Sequence, residues 1–256
     1  YNMKKIFTTL TLSTLVFFGA VAQNTSNPEV PVRKCGSPKV NPTYEEAFQQ
    51  MIQKHQQFAN GKKASVVYNI PVIFHIVHSG QAVGVSYNIS QAQVNSQIAI
   101  LNQDFRKTNT DFATVVTQSV FLNAAADCEI NFCAAKVGPT GNVLSEPGID
   151  RILASSKGWS APGYTDAYIE STIKPNSSWD PSKYCNIWIL SFSDGITLGY
   201  AQFPTIPPGT SPITDMVGAG GQANTDGVVL EYQYVGNIGS ATYPFNKGRT
   251  ATHEIG

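Results

Sequence analysis

Hydrophobic and polar positions divide the chain into stretches of different period. Between Thr43 and Asn60, Phe48, Met51, Ile52, His55 and Ala59 recur at helical spacing. Thr43 with Glu46 three positions later makes a capping box, and Asn60-Gly61 stops the helix. A second stripe, Val94, Ile98, Leu101 and Phe105, follows Ser90, whose helix-capping role is supported by Gln93. Between the two helices the pattern changes. VVYNIPVIFHIVH, residues 66–78, is β-branched and aromatic with little polar alternation, as expected of a strand buried on both faces. EINFCAAK (129–136), CNIWILSF (185–192), LGYAQFP (198–204) and GVVLEYQYV (227–235) predict four further strands. The proline closing LGYAQFP marks that segment as an edge strand. Residues 249–256 begin another helix. Strands interleaved with helices predict an α/β fold, a twisted, mixed, five-stranded sheet with helices packed on it.

Composition narrows the function classes. The 256 residues suffice for one sizeable core plus a smaller segment. Lys and Arg number 17, as do Asp and Glu, and charged residues make up only 13%. No basic run occurs, which argues against a nucleic-acid partner. At the N-terminus Lys4-Lys5 precedes an apolar stretch, Ile6 to Phe18, which ends in Ala20-x-Ala22. That order predicts a signal peptide over 1–22, too short and too polar to span a bilayer comfortably. The mature chain is then secreted and has no membrane partner. Residues 23–42 read as extended and irregular, and Lys62-Lys63 as an exposed site for proteolytic nicking. The four cysteines, Cys35, Cys128, Cys133 and Cys185, suit an oxidising compartment, although spacing does not assign pairs.

The candidate chemistry lies at the end of the chain. Zinc hydrolases place two histidines four apart on a helix, with a glutamate beside the first, so that both imidazoles face one metal. TATHEIG supplies His253 and Glu254, and the next position is where a second histidine would stand. The chain is therefore expected to stop inside a longer motif. On these residues alone, an ordinary helix-end His-Glu pair is the plainer reading. His75 and His78, three apart in a strand, point to opposite faces and read as packed residues. Trp159, Trp179 and Trp188 read as core or loop anchors, and Asp226-Gly227 as a turn.

The wider context shifts the balance. IPVIFHIVH, WDPSKYCNIWIL, LGYAQFP, DGVVLEY and GRTATHEIG, in this order, resemble the pappalysin family of metzincin metalloproteases over residues 66–256. The resemblance implies a zinc enzyme, with His253 as the first of three zinc histidines and Glu254 as general base. Ca2+ is a further possible ion by the same resemblance. Gly199, Tyr200 and Ala201 correspond to the strand at the rim of the cleft, whose free edge suits pairing with a peptide substrate. Cys35-Gly36 corresponds to a propeptide motif in which the thiolate ligates zinc in the latent form. The alternative for Cys35 is a disulfide with one of the other three cysteines. Residues 23–63 are then a propeptide, itself a partner of the enzyme, and 64–256 the N-terminal part of a catalytic domain. The implied function is a secreted zinc-dependent endopeptidase precursor. The alternative is a secreted non-catalytic binding or adhesion module on a related fold.

Overall fold

The computed structural model describes residues 34–36, 46, 49, 50, 53, 66–115, 119–204 and 221–256. The predicted signal peptide and most of the first predicted helix lie outside them, although Glu46, Gln49, Gln50 and Gln53 are helical. Among the described residues, seven strands form one sheet: β1 (Lys34–Cys35), β2 (Tyr68–His78), β3 (Ile130–Ala134), β4 (Ile149–Leu153), β5 (Cys185–Leu190), β6 (Thr197–Ala201) and β7 (Val228–Glu231). The helices are α1 (Gln91–Phe105), α2 (Phe112–Val115), α3 (Ser119–Ala124), α4 (Asp166–Tyr168), which continues as a π-helical turn over Ile169–Ile173, and α5 (Arg249–Ile255).

The order across the sheet is β1-β6-β7-β5-β2-β3, with β4 also on β2. The eleven-residue β2 carries β3 on its first half and β4 on its second, both parallel. Its other edge pairs in parallel with β5, from Val72↔Cys185 to Ile76↔Ile189. β7 runs parallel to β5, and β6 runs antiparallel to β7. The mixed α/β expectation holds, but the strand count of five is corrected to seven. β4 escaped because Asp150 and Arg151 interrupt its apolar run. β1 escaped because two residues of Lys-Cys carry no strand pattern.

Both faces of the sheet are buried, as the unbroken apolar runs require. Phe74, Ile76, Ile187, Ile189, Val228 and Leu230 pack beneath α1 and α5 with Val94, Leu101 and Ala251. The alternate positions, Val77, Trp188, Leu190 and Val229, pack on the opposite face with Ile169, Ile173 and Tyr164. The Ser90 hydroxyl accepts from the Gln93 amide at 3.2 Å, so the predicted cap of α1 is present. His75 is fully buried, stacked on Trp188 at 5.2 Å between ring centres. Backbone atoms of Trp179 bond both ends of the Asn186 amide, which leaves the Asn186 oxygen to accept from His75 Nε2 at 2.9 Å. Asp150 of β4 lies 2.9 Å from His75 Nδ1. His75 is thus a satisfied core residue, as its place in the strand suggested.

Candidate active-site cleft

α5 carries the two candidate catalytic side chains. Its first residue follows Gly248, which holds a left-handed φ of 68° and offers no side-chain cap. His253 is exposed, whereas Glu254 is buried at 8% exposure. Both line a cavity of about 390 Å³, together with Leu198 of β6, Arg249 and Thr250 of α5, and Pro244, Phe245 and Lys247 of the preceding loop.

The rim strand approaches this helix at Gly199. A Cβ built there would stand 2.7 Å from the Val229 carbonyl oxygen, 2.9 Å from Leu230 Cδ2 and 3.4 Å from Glu254 Cγ. Only glycine lets the strand pass this close to both β7 and the candidate general base. Tyr200 turns the other way. It is 6% exposed on the far face of the sheet, where its hydroxyl donates to Glu170 Oε1 at 2.7 Å. Burial and the Glu170 carboxylate push that hydroxyl far above the usual phenol range. At Tyr200, therefore, only the main chain is left to serve the rim.

β6 is not a bare edge. β1 adds to it in parallel, with Lys34 opposite Thr197 and Cys35 opposite Gly199. The Gly36 amide donates to the Gly199 carbonyl at 2.8 Å. A Cβ on Gly36 would lie 3.2 Å from Tyr200 Cβ, so glycine also eases this approach. The edge-strand expectation is corrected: β6 lies between β1 and β7, because the Cys35-Gly36 segment takes the pairing positions of its outer side. Cys128, Cys133 and Cys185 carry free thiols.

Behind the rim stands a network that local patterns did not reveal. Lys174 is fully buried and donates to Glu170 Oε1 at 2.7 Å. Its ammonium lies 5.3 Å from the Trp188 ring centre and 5.2 Å from that of Tyr200. Burial pulls Lys174 below the usual lysine range, and Glu170 opposes that pull. The π-helical turn, closed by the Lys174 amide on the Ile169 carbonyl at 3.0 Å, brings Lys174 under Tyr200. A lone Lys after an Ile carries no signal of burial.

Toward a metal, the residues present offer the His253 imidazole at the cavity. Among the described residues no group of three His, Cys, Asp or Glu gathers to hold an ion. The donor set is thus chemically suited to zinc but is one imidazole of a site.

Comparison with solved structures supplies the family. Mirolysin in complex with a compound is 37% identical, with a TM-score of 0.58, covering 74% of this chain and 62% of that one. Mature mirolysin from Tannerella forsythia with a cleaved peptide is 36% identical, TM-score 0.58, covering 75% and 63%. A point mutant of Tannerella forsythia promirolysin is 32% identical, TM-score 0.60, covering 87% of this chain and 67% of that one. The chain belongs to the metalloprotease family of mirolysin. This is the pappalysin-type grouping that the sequence blocks resemble. An extracellular metalloprotease of Verticillium alfalfae is 27% identical over 193 residues, which are 75% of this chain and 50% of that protein. No family model matches the chain. The chain thus spans half of the fungal relative and less than two thirds of mature mirolysin.

Proposed function

We propose that this chain belongs to a secreted zinc-dependent endopeptidase made as a latent precursor. The observation that carries the reading is the meeting of three elements at Gly199. Glu254 lies against it from α5, and the Cys35 segment pairs with it from the other side. Zinc, when bound, supplies Lewis acidity that makes water a nucleophile near neutral pH. His253 is assigned as one of its ligands. Glu254 takes the proton of the attacking water and returns it to the leaving amine. Its burial against β6 suits a carboxylate that must act on a bond held along that strand. The main chain of Gly199 to Ala201 offers the groups that would hold an extended peptide.

Latency follows from the same geometry. β1 occupies the pairing positions of β6, so a peptide cannot use them while residues 34–36 stay in place. Cys35 is the proposed thiolate ligand of the latent form, with release after cleavage near Lys62-Lys63. The promirolysin match covers 87% of the chain against 75% for mature mirolysin, which supports a propeptide in this chain. Secretion is supported by the extracellular fungal relative, and no described helix is long and apolar enough to cross a membrane.

The test is metal content and peptide hydrolysis of this chain beside the same chain continued along its gene. Stoichiometric zinc and hydrolysis in the continued form, both lost in His253→Ala and hydrolysis alone in Glu254→Gln, support the reading. A continued form that holds no zinc and cleaves no peptide overturns it, and favours the binding module. In the continued form Cys35→Ala should fold and raise activity before processing. A variant as latent as its parent removes the switch.

A further inference from the structure

α1 carries, beside its apolar stripe, a second row made of polar side chains. Gln93, Gln97 and Asp104 are spaced four and seven apart, hence on one face. Gln93 is 1% exposed, and its amide nitrogen donates to the Val235 carbonyl at 3.0 Å and to Ser240 Oγ at 2.9 Å. Gln97 is fully buried; it donates to the Gly248 carbonyl at 2.9 Å and accepts from the Gly236 amide at 2.7 Å. These two amides tie down the loop that leads into α5. Asp104, whose side chain is 8% exposed, reaches α5 itself. Its Oδ2 accepts from Thr252 Oγ1 at 2.8 Å, and it pairs with the Arg249 guanidinium at 3.2 Å.

One carboxylate thus grips two residues three apart on the same helix face. α5 starts after Gly248 with no side-chain cap, so its first turn depends on partners from outside the helix. With about 100° of turn per residue, fixing Arg249 and Thr252 toward α1 turns Glu254 to the opposite face and leaves His253 at the flank, one turn on from Arg249. That opposite face is where Glu254 meets Gly199, and the flank is where Arg249 and His253 line the cavity together. An apolar contact would bury α5 as well, but it would not choose the rotation. A buried carboxylate with two fixed donors does, because any other rotation leaves it unpaired.

We propose that Asp104 is a positioning residue for the hydrolysis proposed above, setting the rotational phase of α5 through Arg249 and Thr252. This rests on the protease reading but acts through helix geometry, so it can be tested apart from it. The experiment uses the chain continued along its gene, as parent, Asp104→Asn, Thr252→Val, the double variant and Asp111→Asn. Asp111 also pairs with Arg249, at 2.6 Å, and serves as the control for loss of an ion pair without loss of the Thr252 grip. Two quantities are read: kcat and KM for a peptide, and hydrogen exchange of the amides from His253 to Gly256 in metal-free protein.

Asp104→Asn should lower kcat roughly 10- to 100-fold, the range for residues that orient a ligand from behind, with KM within about twofold. The α5 amides should exchange about tenfold faster or more. Thr252→Val should move both in the same direction by less, and the double variant should be no worse than Asp104→Asn. Asp111→Asn should keep parental kcat. Parental kcat and exchange in Asp104→Asn overturn the proposal, as does a loss confined to KM or an equal loss in Asp111→Asn. If Asp104→Asn does not fold, Thr252→Val decides by the same two readouts. If the parent cleaves no peptide, the protease reading fails, and the exchange of the metal-free variants still decides the positioning.

Discussion

Cys35 stands opposite Gly199 in parallel register, and the amide of Gly36 donates to the Gly199 carbonyl at 2.8 Å. The same glycine has Glu254 Cγ in the space where its own Cβ would be in contact. The proposed latency segment, the rim strand and the candidate general base therefore share one residue without a side chain.

Gly199→Ala should be costly. The added methyl would press on the Val229 carbonyl at 2.7 Å, and backbone cannot yield as a side-chain tip does. Overpacking of this kind destabilises by roughly 1–3 kcal/mol. Thermal melting of the variant should show a clear drop in Tm. An unchanged Tm would mean that β6 has room to move from β7, and that the close approach is not needed.

Removing Glu170 should hurt more than removing Lys174. Glu170→Ala leaves a fully buried ammonium without its half-exposed carboxylate, a loss on the order of 1–3 kcal/mol. Lys174→Met places an apolar chain of similar length beside Trp188 and Tyr200, where it packs well. Denaturant unfolding of the two variants checks the order; the reverse order would refute the view that burial, not pairing, dominates at Lys174.

Acid should erase the contribution of Asp111. The Arg249 hydrogen bond, with help from Asn109, holds the Asp111 carboxyl well below the usual carboxylate range. A depressed folded value gives stability that is complete above the unfolded value of about 3.9 and fades as pH falls below it. The gap between parent and Asp111→Asn should be on the order of 1 kcal/mol and constant from pH 5 to 8, roughly, then close in stronger acid. Urea melts across that range would show it. A gap that widens on acidification contradicts the assignment.

Thiol chemistry should sort the cysteines. Cys128 and Cys133 are exposed, while burial, assisted by Asp226, pushes the Cys185 thiol up to about 12. Cys185 as a residue is only partly covered, yet a thiol with that value is almost never a thiolate near neutral pH. Brief alkylation of the folded protein at mild pH should label Cys128 and Cys133 and spare Cys185. Equal labelling of all three by mass spectrometry would show that the base of β5 opens readily.

The sequence by itself determined the elements whose pattern is local. Burial of β2 and β5 on both faces is written in their unbroken β-branched and aromatic runs, and the start of α1 in Ser90 and Gln93. The His253-Glu254 pair was legible too, since neighbours on one helix turn need no partner to be noticed. Tertiary structure alone decided what those elements do to one another. β4 is a strand because β2 offers it an edge, with Asp150 and Arg151 satisfied by His75, Glu146 and Asn88 from elsewhere in the chain. Gln93, Gln97 and Asp104 read as ordinary polar positions on a helix until partners some 140 residues away make them a clamp. Gly199 shows no local need for glycine; the need comes from β7 and α5. Periodicity reports whether a residue faces protein or water, but a hydrogen-bond partner across the fold leaves no period behind.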